Sequence, residues 1–295
     1  MTRINDVPNS EEPLYYYPGC LSLNMYPGIA YSTLKVLEML GYKVFLGEEI
    51  CCSLTFKNVG LMPPETVYSI NAFIMSKTYL KSRFIVTSCN GCYSNLNDTL
   101  KKLEDEGFRR LIDELNMTIP QGIKIIHVAE VIYKQIEEIA RIGERNLKGL
   151  RVAVHYGCDY TYAHPDLVID SVEYPRFLDD FIERFGGEPI EYDEKQTCCG
   201  QPAIKGVGDI TMELAKRKIL SINSVDTDIL LVMCPACLLA FDRVQYSLIS
   251  LGEINRVIPV IHVSQLAGLI LGLNFKDLGL DLHLVKEFNR FHGLR

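Results

Sequence analysis

The sequence predicts an α/β protein built from two copies of one unit. Each copy is a small, mostly parallel sheet flanked by helices, with cysteines at the carboxyl ends of its strands. Three observations carry that expectation. The ten cysteines repeat: Cys20, Cys51, Cys52, Cys89 and Cys92 are separated by 31, 1, 37 and 3 residues, and Cys158, Cys198, Cys199, Cys234 and Cys237 by 40, 1, 35 and 3. None is left over. Their surroundings repeat as well. CCSLTFKNVG answers CCGQPAIKGVG with a one-residue gap, pairing Lys57 with Lys205, and IIHVAEVI (125–132) answers VIHVSQLA (260–267), pairing His127 with His262. Finally, apolar runs of strand length alternate with helical patterns, which favours right-handed crossovers and parallel pairing.

The first unit is expected over residues 14–145. LYYYP leads to Cys20, and PGIAYSTLKVLEMLG reads as a helix with Pro27 near its start and Gly41 near its end. KVFL is a short strand ahead of Cys51 and Cys52. PPETVYSINAFIMSKTYLKS is a second helix, and RFIVTS a strand ending at Cys89. A polar helical stretch, YSNLNDTLKKLEDEG, precedes the strand KIIHV and a further helix. The polar segment GERNLKG (143–149) joins this unit to the second, 150–272. There RVAVHYG leads to Cys158, PRFLDDFIERFGG is a helix, and EPIEY runs to Cys198 and Cys199. GDITMELAKRKILSIN, DILLVM before Cys234, and PVIHV complete the copy. Residues 273–295 form a short tail of mixed charge, a candidate docking element for a partner.

Composition narrows the function classes. The chain has 295 residues, 48% hydrophobic and 23% charged, so it can bury a sizeable core without cross-links. A net charge of −7 argues against nucleic acid or an anionic membrane surface as the main partner. The start lacks a basic segment followed by an apolar one, so no secretory signal is expected. The most apolar late stretch, 257–273, is interrupted by Pro259, His262, Ser264 and Gln265. A membrane span needs about 20 predominantly apolar residues, so this stretch reads as a buried strand and helix. A cytoplasmic location follows, and in a reducing compartment ten thiols serve as metal ligands or redox groups rather than disulfides.

Cysteines that each follow a strand collect at the carboxyl edge of a parallel sheet, where open α/β sheets bind ligands. Helix N-termini point to the same edge and favour an anionic, thiolate-bound centre. One metal site per unit is therefore expected. Structural zinc takes four ligands, and five cysteines per unit overshoot that number; two zinc sites, each with one idle thiol, are the alternative. A thioredoxin-like dithiol uses a single C-x-x-C and leaves Cys20, Cys51 and Cys52 without a role. Iron–sulfur clusters are held by cysteine thiolates, four for an ordinary [4Fe–4S] cluster. The fifth thiolate would then bridge two irons, stand idle, or react beside the cluster. Adjacent side chains on an extended chain point opposite ways, so Cys51 and Cys52 reach one site only if the backbone turns. Gly200, after the second pair, permits such a turn.

The repeated C…CC…C-x-x-C pattern resembles the cysteine-rich CCG domain. A chain of two such domains with no further cluster motif is similar to the B subunits of the heterodisulfide reductases of methanogenic archaea. The resemblance covers residues 14–272 and departs at Ser53, where the family pattern has glycine. It implies two noncubane [4Fe–4S] clusters, each using all five cysteines of its unit through shared atoms and a bridging thiolate. It also implies reduction of the coenzyme M–coenzyme B heterodisulfide, CoM-S-S-CoB, to the two thiols in methanogenesis. Partners implied are an iron–sulfur C subunit and a flavin-containing A subunit of the heterodisulfide reductase, in an electron-bifurcating complex linked to a hydrogenase or formate dehydrogenase. The chain has neither a C-x2-C-x2-C-x3-C run nor a GxGxxG loop, so electron input and flavin are expected on those partners. Disulfide cleavage takes two electrons, which suits two similar centres supplying one each from opposite sides. The alternative is the iron–sulfur electron-transfer component of a glycolate, lactate or glycerol-3-phosphate dehydrogenase complex, although those carry ferredoxin-type motifs ahead of their CCG domains.

Outside the cysteines, Lys57, Lys205 and Arg243 are candidate cations for the sulfonate and phosphate of the two coenzymes. For each, a solvated charge on a helix face is the competing reading. His155, three residues before Cys158, is a candidate donor of a hydrogen bond or proton to a leaving thiolate. His127 and His262, at matching strand ends, and Tyr15, Tyr16 and Tyr17 are expected to pack.

Overall fold

The alternating pattern resolves into two four-stranded sheets in the computed structural model, which describes residues 3–201 and 208–288. In chain order the first unit contains β1 (Leu14–Tyr17), α1 (Cys20–Asn24), α2 (Pro27–Met39), β2 (Val44–Leu46), α3 (Leu54–Asn58) and α4 (Pro64–Ser76). It continues with β3 (Phe84–Thr87), α5 (Asn90–Lys102), α6 (Glu106–Glu114), β4 (Lys124–His127), α7 (Val128–Lys134) and α8 (Ile136–Ile142). The second contains β5 (Arg151–His155), α9 (Cys158–Thr161), α10 (Phe177–Arg184), β6 (Glu188–Ile190) and α11 (Gly208–Asn223). It ends with β7 (Ile229–Val232), α12 (Pro235–Ser250), β8 (Val260–His262) and α13 (Val263–Ile270).

The sheet orders are β2-β1-β3-β4 and β6-β5-β7-β8, and every pairing is parallel. The expected α/β class and duplication are therefore present. Even the register repeats, Tyr17 pairing with Thr87 as His155 pairs with Val232. The central strands FIVT and ILLV are buried along their whole length, as strands covered by helices on both faces must be.

Two elements differ from the sequence reading. The second helix stops at Ser76 rather than running to Ser82, and Leu80 beyond it takes a left-handed conformation, φ 62°. The polar helix splits into α5 and α6 because the Asp105 carboxylate accepts the Phe108 N–H at 2.9 Å and caps a new start.

The units pack through elements related by the duplication. Helix α2 lies on α13 and α10 on α7, while α5 meets α9 and α1 meets α12. One hydrophobic core runs through both units. The described part of the tail folds back onto this body: Asp242 accepts the N–H groups of Leu284 and Val285, both at 2.8 Å, and the His283 ring meets Tyr26 edge-on. No helix among the described residues is long and apolar enough to cross a membrane.

Gly28 in α2 sits directly against the backbone of Leu278 and Gly279, where a Cβ would collide with the Leu278 carbonyl. Backbone cannot yield as a flexible side chain does. Gly28→Ala should therefore cost about 1–3 kcal/mol in denaturant unfolding. Gly122→Ala, in open space at φ 65°, should cost only the left-handed strain, about 1 kcal/mol. Equal costs would refute the close α2 contact.

Candidate metal centre

The parallel topology brings every cysteine to a strand's carboxyl end. Cys20 and Cys158 open α1 and α9, just past β1 and β5. Cys89 and Cys234 are the N-cap residues of α5 and α12, and Cys92 and Cys237 lie one turn inside those helices. The thiols thus stand at the positive ends of two long helices. Between β2 and α3, Ser53 adopts the left-handed conformation (φ 60°, ψ 13°) that Gly200 adopts in the second copy (φ 81°). The turn has one purpose in both copies. The N–H of Ser53 donates to Cys51 Sγ at 3.4 Å, and that of Gly200 to Cys198 Sγ at 3.3 Å. Serine in place of glycine thus preserves the turn, and its hydroxyl donates to the Cys51 carbonyl at 3.3 Å.

The sulfurs form a single chain of contacts that reads the same from either end. Cys20 lies 3.6 Å from Cys51, and Cys52 lies 3.4 Å from Cys92. Cys158 lies 3.3 Å from Cys198, and Cys199 lies 3.2 Å from Cys237. Cys51–Cys52 and Cys89–Cys92, with Cys198–Cys199 and Cys234–Cys237, link these pairs into two five-sulfur arcs. The arcs meet where Cys89 Sγ is 3.9 Å from Cys234 Sγ. A cavity of about 470 Å³ lies between the units, walled by every cysteine except Cys198, together with Leu54, Phe56, Asn90 and Asp159.

Two contacts hold the seam. The side-chain amide of Asn90 donates to the Tyr156 carbonyl at 2.7 Å, an approach open only because Gly157 has no Cβ. His262 Nδ1 accepts the Ser264 N–H at 3.2 Å, which leaves the ring proton on Nε2. That nitrogen is 3.0 Å from the Ser88 carbonyl and 2.9 Å from that of Met233, the residues preceding the two C-x-x-C motifs. His262 and His127 also cap α13 and α7 in matching capping boxes, with Gln265 and Glu130 reaching back to the backbone. Burial lowers the pKa of His127 to about 3 and of His262 to about 4, so both are neutral packing groups, as expected.

Charge is unevenly distributed along the sulfur chain. Hydrogen bonds from Cys20 and then Cys52 pull Cys51 down to about 2, and bonds from Cys158 and then Cys199 pull Cys198 down to about 3. Their neighbours move the other way: Cys52 rises to about 12, chiefly because its proton is shared with the Cys51 thiolate. Burial, followed by the charge of Cys234, pushes the Asp159 carboxyl up to about 7. Like charges 3–4 Å apart oppose further ionisation, and a cationic centre would remove that opposition. Five convergent sulfurs per unit, with Cys51 in the first arc and Cys198 and Cys234 in the second already strongly acidic, suit a thiophilic metal or iron–sulfur centre.

The candidates outside the cysteines separate. His155 is fully buried, and one of its ring nitrogens lies within 4.8 Å of the sulfurs of Cys199 and Cys237. Lys57 pairs with Asp98 at 2.9 Å and donates to Asn95 Oδ1 at 2.8 Å, behind the cavity wall. Arg243 is exposed on α12 and is not brought to the cavity. Lys205 lies outside the described residues. Sequence reasoning missed Asn90, Asp159 and Lys218. Asn90 and Asp159 directly follow Cys89 and Cys158, but the second copy has Pro235 and the first has Leu21 at the matching positions, so the repeat did not mark them. Lys218 had a readable signal, a lysine on the apolar Ala215–Ile219–Ile222 face of its helix.

A family model for the CCG cysteine-rich domain matches residues 14–97 and 152–242. The chain belongs to the CCG family. It is 29% identical to the B subunit of the ferredoxin/F(420)H(2)-dependent CoB-CoM heterodisulfide reductase of Methanosarcina acetivorans, over 93% of this chain and 94% of that protein. A protein of Archaeoglobus profundus, named for its likeness to the heterodisulfide reductase B subunit, is 29% identical over 87% of this chain and 89% of its own. The 8-methylmenaquinol:fumarate reductase membrane anchor subunit of Wolinella succinogenes is 23% identical over 92% and 96%. A hypothetical protein from Helicobacter pylori shares the fold, with a TM-score of 0.71 at 15% identity over 94% of this chain. This CCG chain covers 53% of that protein, about half its length.

Because Ser53 holds a left-handed turn, Ser53→Gly should raise thermal stability by up to about 1 kcal/mol. A loss of stability would show that the hydroxyl bond to Cys51 outweighs the strain.

Proposed function

We propose that this chain is the iron–sulfur electron-transfer component of an oxidoreductase complex, with one [4Fe–4S] cluster per unit held by that unit's five cysteines. The finer reading is a catalytic one: the chain reduces a disulfide bound between the two centres, with CoM-S-S-CoB the substrate favoured by the heterodisulfide reductase relatives. The observation that carries it is the two-arc arrangement, five sulfurs on each side of one cavity, meeting at Cys89 and Cys234.

Clusters bound there would supply single electrons and iron able to take up sulfur. The protein's part is positional. Cys20, Cys51, Cys52, Cys89 and Cys92 hold one centre, and Cys158, Cys198, Cys199, Cys234 and Cys237 the other. Five cysteines per centre, rather than four, would suit a noncubane cluster. Leu54, Phe56 and Ala236 keep the cavity apolar, while the Asn90 amide and the Asp159 carboxyl give it polar groups able to orient a substrate. Asp159 stands opposite Gly91 of α5, placed to pass a proton to a thiolate leaving the cavity. Electrons would arrive from the iron–sulfur C subunit and the flavin-bearing A subunit in a cytoplasmic, bifurcating assembly with a hydrogenase or formate dehydrogenase. A second reading is relay only, serving a dehydrogenase or reductase whose substrate binds elsewhere. It is favoured by the near full-length likeness to one component of a fumarate reductase.

Anaerobic purification tests the common part of both readings. About eight irons and as many acid-labile sulfides per chain are expected from two four-iron clusters. Two zinc ions without sulfide would refute it. Cys199→Ala should remove or shrink the second unit's cluster, cutting iron by up to about half while the first unit's remains. Loss of both together, with the first unit folded, would refute separate centres. With reduced viologen as donor, the chain should cleave CoM-S-S-CoB and Cys199→Ala should not; an inactive, fully loaded chain would favour the relay reading.

A further inference from the structure

The two centres are alike in sulfur and unlike in what stands behind it. Tyr17 and His155 occupy the same register position at the ends of β1 and β5. The Tyr17 hydroxyl donates to the Ile50 carbonyl and adds no charge. His155 instead meets a buried cation. Lys218, 0% exposed, has its Nζ 3.1 Å from His155 Nδ1, and it donates to the carbonyls of Glu194 and Lys195. Three acceptors match the three N–H groups of an ammonium, so the side chain is satisfied as a cation. No carboxylate among the described residues forms an ion pair with it. Burial lowers its pKa to about 8, and the sulfurs of Cys237 and Cys199 hold it up.

This arrangement fixes the imidazole. With Nδ1 accepting from Lys218, the ring proton sits on Nε2, which has no partner among the described residues. A ring nitrogen lies within 4.8 Å of Cys199 and Cys237 Sγ, and the same two sulfurs act on the Lys218 charge, so an imidazole and a fixed positive charge stand close to the second site's sulfurs. In the first unit the polar side chain that α4 buries is the neutral Asn71, beside Ala72 and Met75, where α11 buries Lys218 beside Ile219 and Ile222. Lys57, the candidate cation of the first unit, is neutralised by Asp98. The carboxylate that acts on Lys218, that of Glu194, is itself paired with Arg217 at 2.8 Å, and Lys218 is sealed in protein.

Resting on the reading that each unit holds an iron–sulfur cluster, we propose that the Lys218–His155 pair makes the second unit's centre the more readily reduced of the two. Hydrogen bonds to sulfur and nearby charge are among the factors that set cluster potential. The step would be addition of one electron to that centre from an iron–sulfur or flavin donor on a partner subunit, or from dithionite in the titration, with no bond made or broken in the protein.

The test is an anaerobic redox titration of the full chain, followed by electron paramagnetic resonance after iron and sulfide have been counted. The couple altered by Cys237→Ser identifies the second unit. In the unmodified chain that couple should be the more positive. Lys218→Met should move it in the negative direction and leave the first couple in place, Lys218→Arg should hold it near its original value, and His155→Phe should move it in the same direction as Lys218→Met. If Lys218→Met does not load, Lys218→Gln keeps amide donors without the charge, and the same negative shift is expected. Loaded variants whose second couple does not move, or whose two couples move equally, overturn the proposal. Absence of iron and sulfide from the unmodified chain instead overturns the cluster reading on which it rests.

Discussion

The structure is organised by the difficulty of holding many thiols together. Sulfurs only 3.2–3.9 Å apart cannot all ionise without a compensating positive charge. The fold meets part of this need with its backbone. Helices α5 and α12 begin at Cys89 and Cys234, and the turns after the Cys-Cys pairs aim N–H groups at Cys51 and Cys198. Parallel strands are what make this arrangement available, because they deliver successive loops and helix starts to one edge of a sheet.

Duplication then doubles the edge, and packing closes the two edges on each other. The α2–α13 and α7–α10 contacts act as paired braces, while Asn90 and His262 cross the seam between the motifs themselves. His262 can bridge because its own helix cap fixes the tautomer. The approximate symmetry is broken where it concerns charge. Glu130 stands where the second copy has Gln265, and its carboxylate accepts from Tyr160 across the interface. His155 stands where the first copy has Tyr17. A shared scaffold thus carries two chemically distinct environments around equivalent sulfur arcs.

That combination suits electron transfer in steps of one. Relatives of similar length are named as components of a heterodisulfide reductase and of a fumarate reductase, complexes named for different reactions. What distinguishes a catalytic from a relay member on physical grounds is access. A cavity of about 470 Å³ lined with thiols, apolar side chains and a few polar groups, Asn90 and Asp159 among them, is large enough for a small ligand between the sulfur arcs.

The sequence alone determined the repeat, the α/β class, the strand that precedes each cysteine group, and the gathering of the cysteines at strand ends. These were legible because period, spacing and composition are local or translational properties. Helix ends were less so: α4 stops early and the polar helix breaks at Asp105, where local capping overrode the pattern. Tertiary structure alone decided where the candidates lie. Lys57 and Arg243 look alike as charges in a string, yet one is tied to Asp98 and the other faces solvent. It also decided that Cys89 meets Cys234, and that Lys218 reaches His155 across 63 residues of chain. Spacing places a thiol at the end of a strand. Only the packing of helices from opposite units sets which strand ends face each other, because that depends on the fit of buried surfaces distant in sequence.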